Sequence, residues 1–299
     1  EPLRVYEEPL YQNIIEPPVV VVEPDTEREL VPVRIITKSA PESKPEPEST
    51  PAPESKPVTE PAPSPVAPAQ VAVATPTPVA RKPKIAIVLD DLGIDKPRTA
   101  RAIKLNGPLT LSFMSYASGL DKQTRLAQAG GHELWLHIPM EPSSPDVDPG
   151  PNVLLTGLPE RELLSSLQWN LAQFQGYVGI NNHMGSRFTA DLPGVKVVMK
   201  ELKKRGLLFL DSVTSGKSVA RKAARDMGVP FLSRNIFLDH QDDERKINFR
   251  LGEVERLARK TGLAIAIGHP REKTLLALGP WLDGIEAKGF QLIPLSTAF

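Results

Sequence analysis

The 299-residue chain contains no cysteine. This absence excludes disulfide bonds, thiolate metal sites and cysteine nucleophiles. No run reaches the ~18 consecutive apolar residues that a membrane-spanning helix requires. Neither a GxGxxG nor a GxxxxGK[ST] motif is present, so a nucleotide-binding fold has no support. Any catalytic group or metal ligand must therefore be something other than a thiolate.

Glycine is absent from the first eighty residues, where proline and glutamate are abundant, as in residues 41–49. Such a composition buries too little apolar surface to offset the entropy of the chain. We therefore predict a disordered Pro/Glu-rich linker over residues 1–82, stiffened by its prolines, and a folded domain over residues 83–299. Because the chain begins at Glu1 without an initiator Met, we expect that a signal peptide or membrane tether preceded it.

The net charge of zero is a cancellation between these two parts. Residues 1–80 hold 13 acidic and 6 basic side chains, which leaves 23 acidic and 30 basic side chains in the remainder. A mildly cationic domain suits an anionic polymer or surface. No block of Arg and Lys is dense enough to indicate nucleic-acid binding, so no nucleic-acid partner is expected.

The folded part opens with a short apolar run that ends in two carboxylates, Asp90 and Asp91. Such a run is typical of a strand in a buried parallel sheet, and α/β folds place their chemistry at the C-terminal ends of these strands. The order of strand, polar residues and helix then repeats to the end of the chain. Predicted strands are 84–89, 109–114, 133–141, 176–185, 207–212, 229–232 with 236–238, 263–270 and 290–295. Predicted helices are 95–106, 121–129, 160–175, 195–205, 218–227, 249–260 and 271–288, the last interrupted at Gly279-Pro280.

Seven or eight successive β-then-α units imply a parallel sheet covered by helices. Because these units occupy only about 215 residues, the predicted fold class is α/β, with a closed or nearly closed barrel of seven to eight parallel strands. An open, doubly wound sheet is the alternative.

Residues that bind metals or transfer protons recur at the predicted strand ends. A divalent metal site needs neutral imidazoles and a carboxylate that converge from several elements, and the mouth of a barrel provides that convergence. Each residue alone also has a structural interpretation, as a helix cap, a core histidine or a solvated loop residue. His132, after Gly130-Gly131, is interpreted as a surface residue. The residues at strand ends are Asp90, Asp91, His137, Glu141, His183, Asp211, Asp239, His240 and His269.

Adjacent residues of an extended strand point in opposite directions. Asp90 and Asp91 are therefore expected to point apart and to have different roles.

Several of these segments resemble the motifs of polysaccharide deacetylases. Leu89-Asp90-Asp91-Leu-Gly93 resembles the first Asp-Asp-Gly motif, and Ile267-Gly268-His269 resembles the final Leu-x-His motif. His137-Ile-Pro-Met-Glu141 resembles the His-x-x-x-His/Asp metal motif, with Glu in second place. Residues 179–187 and 209–215 resemble the divergent branch of the family. Residues 84–299 as a whole thus resemble the divergent polysaccharide deacetylases, relatives of the NodB-like carbohydrate esterases, whose fold is a distorted (β/α) barrel.

The resemblance implies a metal-dependent carbohydrate deacetylase. Such an enzyme hydrolyses the C–N amide bond of N-acetyl or related acyl groups on an amino-sugar polysaccharide of the cell envelope, such as peptidoglycan. A periplasmic or envelope location follows from that substrate. The alternatives are a non-catalytic envelope module that binds glycan or protein, and another metal-dependent hydrolase such as a phosphoesterase.

The resemblance also implies roles for individual residues. Zn²⁺ or another divalent ion would be held by Asp91, His137 and His183, with Glu141 as an alternative or fourth ligand. His183 stands where the main family has an Arg-x-Pro-Tyr motif, and it would make up for Glu141 in the second ligand place. Among the catalytic residues, Asp90 would be the base, His269 the acid, and Asp211 would orient His269 or a substrate hydroxyl. Asn182 and Arg187 are expected to bind substrate.

Overall fold

The computed structural model describes residues 82–299. Apart from Lys82, the linker predicted over residues 1–82 lies outside them. The strands are β1 Lys84–Leu92, β2 Thr110–Met114, β3 Glu133–Met140, β4 Gly179–Met184, β5 Leu208–Asp211, β6 Phe231–Ser233, β7 Ile236–Phe237, β8 Leu263–Gly268 and β9 Gln291–Leu292. The helices are α1 Lys96–Ile103, α2 Leu120–Ala129, α3 Glu160–Leu171, α4 Leu192–Arg205, α5 Ala220–Met227, α6 Glu244–Thr261 and α7 Glu272–Ile285.

The strands form one parallel sheet in the order β6-β5-β4-β3-β2-β1-β8-β7, and β9 pairs with the first residues of β1. The two ends of this order, β6 and β7, are separated in the chain only by Arg234 and Asn235. Arg234 N donates to Asp211 O beside β6 at 3.0 Å, and Asn235 N donates to Ile265 O on β8 at 2.9 Å. The chain thus passes from one edge of the sheet to the other within two residues, and the sheet curls into a nearly closed barrel. The predicted parallel α/β barrel and its two-piece sixth strand are confirmed.

Alternate residues of each strand face opposite sides of this curled sheet. In β1, Ile85, Ile87 and Leu89 belong to the large cluster that packs against the helices. Ala86 and Val88 belong to a second, smaller cluster inside the barrel. Because both faces are buried, the strands are continuously apolar rather than alternating. The same alternation decides which polar side chain at each strand end faces the barrel interior.

All seven helices that the structure describes differ from their predicted bounds by one to five residues at one end or both, and two of these differences have a local explanation. α6 begins at Glu244 instead of residue 249, because the side chain of Asp243 caps it by accepting from Lys246 N at 3.1 Å. α7 continues through Gly279-Pro280 without interruption. Proline inside a helix removes one backbone hydrogen bond, but α7 buries Leu278 and Leu282 on either side of it, and this packing outweighs the loss. Among residues 82–299, no helix is both long and apolar enough to cross a bilayer.

Candidate metal centre

The interior-facing rows of β1, β3, β4 and β8 lead to polar side chains at the mouth of the barrel. On β1 the row Ala86, Val88 continues to Asp90, and on β8 the row of Ile265 and Ile267 continues to His269. His137 on β3 and His183 on β4 end their rows in the same way. All four side chains are buried. Strand alternation in a curled parallel sheet therefore brings them together.

Asp91 reaches the same place by a different route. Its φ of 57° lies in the left-handed region, and the pairing of β1 with β2 shifts register between Leu89 and Leu92. Gly93 follows with φ 100°, and a Cβ there would lie 2.7 Å from the Cβ of Ala117, so this turn requires glycine. The turn directs the Asp91 carboxylate inward.

Asp90 and Asp91 consequently approach the same imidazole. Asp91 Oδ1 lies 3.3 Å from His137 Nε2, and Asp90 Oδ2 lies 3.7 Å from the same nitrogen. The expectation that the two carboxylates point apart is wrong, because the left-handed residue breaks the alternation of the extended strand.

Asp91, His137 and His183 form a triad whose ligand atoms all lie within 4.8 Å of one another. Asp91 Oδ1 is 2.9 Å from His183 Nδ1. Among the described residues, His183 Nε2 is buried and has no hydrogen-bond partner. Buried polar atoms normally have partners, and two imidazoles with one carboxylate are a donor set of Zn²⁺. The triad therefore fits a divalent cation.

His269 is held by Asp239, at the exit of β7. The Nδ1 atom of His269 lies 3.0 Å from Asp239 Oδ1, and its backbone N donates to Asp239 Oδ2 at 2.7 Å. Thr274 Oγ1 donates to the same oxygen at 2.8 Å. The other ring nitrogen of His269, Nε2, lies 3.8 Å from Asp91 Oδ2. This pair places an imidazole with a fixed orientation at the edge of the triad.

Asp211 does not contact His269. Its carboxylate accepts from Val213 N at 2.8 Å and from Ser218 Oγ at 2.6 Å. In β5 the side chain of Asp211 lies on the same face of the strand as Phe209, which packs against the helices. Ser212 lies on the opposite face, towards the interior of the barrel. The contact with His269 that was predicted for Asp211 is made by Asp239 instead, and Asp211 holds the turn after β5.

Glu141 also lies apart from the triad. It accepts from Thr156 N at 2.6 Å and Thr156 Oγ1 at 2.7 Å, and its other oxygen lies 3.2 Å from Arg187 Nη1. The side chain thus ties the loop after β3 to the exposed Arg187 and is not placed to ligate with Asp91.

Asn182 is engaged by the backbone. Its Nδ2 donates to Met184 O at 2.7 Å and its Oδ1 accepts from Ser212 N at 2.9 Å. Asn182 is buried, and its side chain lies on the opposite face of β4 from that of His183. The structure therefore does not present it to a substrate.

The neighbouring residue, Asn181, lies in the site and was missed by the sequence analysis. Its Nδ2 donates to Asp90 Oδ1 at 2.8 Å and to Ser212 Oγ at 3.1 Å. Its Oδ1 accepts from Ser112 Oγ and lies 3.0 Å from His137 Nδ1. Its position two residues before His183, on the same interior row, is the sequence signal that could have identified it.

Arg234, in the break between β6 and β7, was also missed. Its Nε donates to Ser212 O at 2.8 Å and its Nη2 to Val213 O at 3.0 Å, while the guanidinium lies 4.7 Å from the Phe237 ring centre. Burial lowers the pKa of Arg234 to about 10, although the negative charge of Asp90 opposes this. Arg234 thus carries a half-buried positive charge that braces the turn after β5.

The carboxylates and imidazoles shift one another's pKa in opposite senses. Burial raises the pKa of Asp90, and His137 offsets this only in part. Burial alone would raise the pKa of Asp91, but His183 and His137 hold it well below its usual range. Burial alone would lower the pKa of His137, but Asp90 and Asp91 raise it. The two adjacent aspartates therefore differ in proton affinity, as an acid–base site requires.

The pKa of His269 is raised as well. Burial alone would lower the pKa of His269, but the ion pair with Asp239 raises it to about 9. The same pair lowers the pKa of Asp239 against the opposing effect of its burial. At neutral pH this pair is a protonated imidazole on a carboxylate.

The fold and the site together define a class of protein. It is a nearly closed parallel (β/α) barrel whose mouth carries a carboxylate–imidazole triad as a candidate metal centre. The model of the divergent polysaccharide deacetylase family matches residues 87–299. The chain belongs to this family.

Two relatives and one solved structure are similar to the chain. The uncharacterized protein YibQ of Escherichia coli (strain K12) is 33% identical over 195 residues, which are 65% of this chain and 61% of that protein. An uncharacterized protein of Haemophilus influenzae is 34% identical over 196 residues, 65% of this chain and 69% of that protein. The crystal structure of uncharacterized protein ATU2773 from Agrobacterium tumefaciens C58 has a TM-score of 0.71 and 31% identity, and the match covers 75% of this chain and 92% of that chain. The chain thus spans less than two thirds of the E. coli relative.

Proposed function

We propose that this protein is a metal-dependent hydrolase that removes N-acetyl or related acyl groups from an amino-sugar polysaccharide of the cell envelope. The observation that carries the proposal is the convergence of three groups: the Asp91–His137–His183 triad, the buried Asp90 beside it, and the His269–Asp239 pair at its edge. Amide hydrolysis needs a proton acceptor, a proton donor and a means of stabilising negative charge on oxygen. These three groups match those needs one for one.

The triad would hold Zn²⁺ or a similar divalent ion. When bound there, such an ion lowers the pKa of a water molecule and polarises a carbonyl oxygen. Every other step falls to side chains of the chain itself.

Asp90 accepts the proton of the attacking water. Burial raises its pKa, which strengthens it as a base. Asn181 donates a hydrogen bond to Asp90 Oδ1. The other carboxylate oxygen, Asp90 Oδ2, lies on the His137 side and is therefore the one that accepts the proton. The water oxygen then forms a bond to the acyl carbon of the substrate.

His269 donates a proton to the amide nitrogen as the C–N bond breaks. Its pKa of about 9 keeps it protonated at neutral pH, and Asp239 occupies Nδ1, so Nε2 is the nitrogen that donates. The products are a carboxylate, acetate for an N-acetyl group, and the free amine of the sugar. Arg187, with an exposed side chain beside Glu141, stays a candidate for contact with anionic groups of the polymer.

We place the protein at the cell envelope, in the periplasm or attached to a membrane. The Pro/Glu-rich composition of residues 1–82 suits a spacer between such an attachment and the barrel. The cationic balance of the remainder suits a polymer such as peptidoglycan.

The test is acetate release from N-acetylated glycan oligomers, measured for the zinc-loaded chain and after chelation. We expect release by the loaded chain, its loss on chelation and its return with zinc. We expect Asp90→Asn to lower kcat by about 10²–10⁴-fold, the usual contribution of a general base. Asp121→Asn, an exposed aspartate in the first turn of α2, is the matched control and should match the unsubstituted chain.

Release that survives both chelation and Asp90→Asn would overturn the proposal. Tight glycan binding without release and without zinc would instead favour a non-catalytic binding module, and hydrolysis of phosphate esters alone would favour a phosphoesterase.

A further inference from the structure

Asn181 contacts both halves of the site at once, the triad and the neighbouring Asp90. We propose that Asn181 is the positioning residue that fixes His137 as a metal ligand and Asp90 as a proton acceptor. The second half of this proposal rests on the function proposed above, whereas the first half concerns metal binding alone.

The oxygen of the Asn181 amide fixes the tautomer of His137. An amide oxygen can only accept hydrogen bonds, and Asn181 Oδ1 lies 3.0 Å from His137 Nδ1. Nδ1 must therefore carry the hydrogen, which leaves the lone pair on Nε2 in the neutral ring. That lone pair faces Asp91 Oδ1 at 3.3 Å. The tautomer that Asn181 selects is therefore the one whose Nε2 can ligate a metal held together with Asp91.

The nitrogen of the same amide fixes Asp90. Its two N–H groups donate to Asp90 Oδ1 at 2.8 Å and to Ser212 Oγ at 3.1 Å. With Oδ1 engaged, Asp90 Oδ2 is the carboxylate oxygen that lies towards the triad, 3.7 Å from His137 Nε2. Asn181 thus decides which oxygen of Asp90 is available.

The amide cannot exchange its two ends. Both N–H groups and both carbonyl lone pairs are used, since Oδ1 also accepts from Ser112 Oγ. Rotation by half a turn would set N–H against the hydrogen on His137 Nδ1 and oxygen against the Asp90 carboxylate. Asn181 is fully buried, so water cannot compensate either loss. The four contacts therefore define one orientation and couple His137 to Asp90 through a single side chain.

Two substitutions separate the two ends of the amide. Asn181→Leu keeps the approximate size and removes all four hydrogen bonds. Asn181→Asp keeps an acceptor for His137 Nδ1 but replaces the donor to Asp90. The matched control is Asn170→Leu on α3, because Asn170 is equally buried and donates to Asn152 O and Ser166 O at 2.8 Å, outside the triad.

Zinc affinity, measured by competition with a chromogenic chelator, is the readout that does not depend on activity. We expect Asn181→Leu to weaken zinc binding by about 10–100-fold, as for loss of the partner that orients a ligand histidine. Asn170→Leu and Asn181→Asp should both bind zinc as the unsubstituted chain does. Equal zinc affinity for Asn181→Leu and Asn170→Leu would overturn the proposal.

The tautomer of His137 provides a test that needs no variant. In ¹H–¹⁵N NMR spectra of the zinc-loaded chain, we expect hydrogen on Nδ1 of His137 and metal at Nε2. Hydrogen on Nε2 would overturn the proposal even if Asn181→Leu failed to fold.

The role towards Asp90 is read from kinetics. We expect Asn181→Asp to lower kcat while KM stays unchanged, since it places a second carboxylate against Asp90. Unchanged kcat would overturn this half. A chain that binds zinc but releases no acetate would refute the proposed function, while zinc affinity and the His137 tautomer would still decide whether Asn181 positions the ligand.

Discussion

His132 and His183 are both buried histidines, at opposite ends of the parallel sheet. His132 precedes β3, and both of its ring nitrogens bond to backbone: Nδ1 accepts from Leu109 N at 3.2 Å and Nε2 lies 3.0 Å from Ile103 O. His183, at the far end of β4, has Nδ1 beside Asp91, and its Nε2 has no partner among the described residues. A structural histidine completes its hydrogen bonds within the fold, whereas the histidine of the candidate site leaves a buried nitrogen for a ligand.

The groups that surround the two rings also differ. His132 fills a space between two glycines, since a Cβ at Gly107 would lie 2.9 Å from its ring and one at Gly130 would lie 3.1 Å away. Burial lowers the pKa of His132, because no carboxylate balances it. The expectation that His132 lies on the surface is wrong, because its ring joins the end of α1 to the start of β2. The residues around His183 are charged, and those around His132 are backbone.

The largest effect that separates these histidines should be on zinc affinity. We expect His183→Gln to weaken zinc binding by more than about 100-fold, because loss of a ligand exceeds the 10–100-fold cost of losing a ligand's partner. His132→Gln should leave zinc affinity unchanged. Chelator competition measures both values.

Thermal unfolding checks the same contrast independently. At a zinc concentration 100 times the dissociation constant, bound metal stabilises the folded state by about 2.7 kcal/mol. We expect zinc to raise the stability of the unsubstituted chain and of His132→Gln by this amount. We expect no rise in the stability of His183→Gln at the same zinc concentration. Equal rises for both variants would contradict the distinction drawn between the two histidines.

The contrast also defines what could be predicted from the sequence. Apolar runs that end in polar residues repeat along the chain, so the number of strands, their parallel order and the positions of His137, His183 and His269 could be predicted. Each of these signals is local. The strand bounds shift by a few residues only, because packing on both faces decides where each strand ends.

The remaining features depend on backbone geometry that no local pattern encodes. Asp91 turns inward only because its φ is 57°. Arg234 contacts the turn after β5 because it lies where the sixth strand breaks. Two assignments depend on which side of its strand a residue occupies. His269 pairs with Asp239 rather than with Asp211. Asn181, rather than Asn182, lies in the site. One residue of register thus separates a correct assignment from an incorrect one.

The second largest effect should be on the stability of the zinc-free chain. We expect His132→Leu to lower the free energy of unfolding by about 1–3 kcal/mol, because Leu109 N and Ile103 O lose their partner in a buried place. Urea unfolding followed by circular dichroism measures the loss. Zinc affinity should stay unchanged in this variant, and a loss of zinc affinity equal to that of His183→Gln would contradict a purely structural role.

The third effect should be a difference in the sign of the pH dependence between His132 and His269 in the zinc-free chain. The pKa of His269 is raised to about 9, above the value of about 6.5 for an unfolded histidine, so the folded state binds the extra proton between these values. His269 therefore contributes stability that is complete below about pH 6.5 and is lost as the pH rises to about 9. The pKa of His132 is lowered, so its contribution is complete above about pH 6.5 and is lost on acidification.

Subtraction isolates each histidine from the other groups that titrate. The free energy of unfolding of the unsubstituted chain minus that of His269→Gln should fall between about pH 6.5 and 9, with a slope of at most about 1.4 kcal/mol per pH unit. The same difference in the free energy of unfolding for His132→Gln should decrease as the pH is lowered below about 6.5. Two buried imidazoles in one chain would then respond to pH in opposite directions, because Asp239 stabilises the protonated ring of one and the backbone N–H of Leu109 requires the neutral ring of the other. Slopes of the same sign would show that burial outweighs Asp239 at His269.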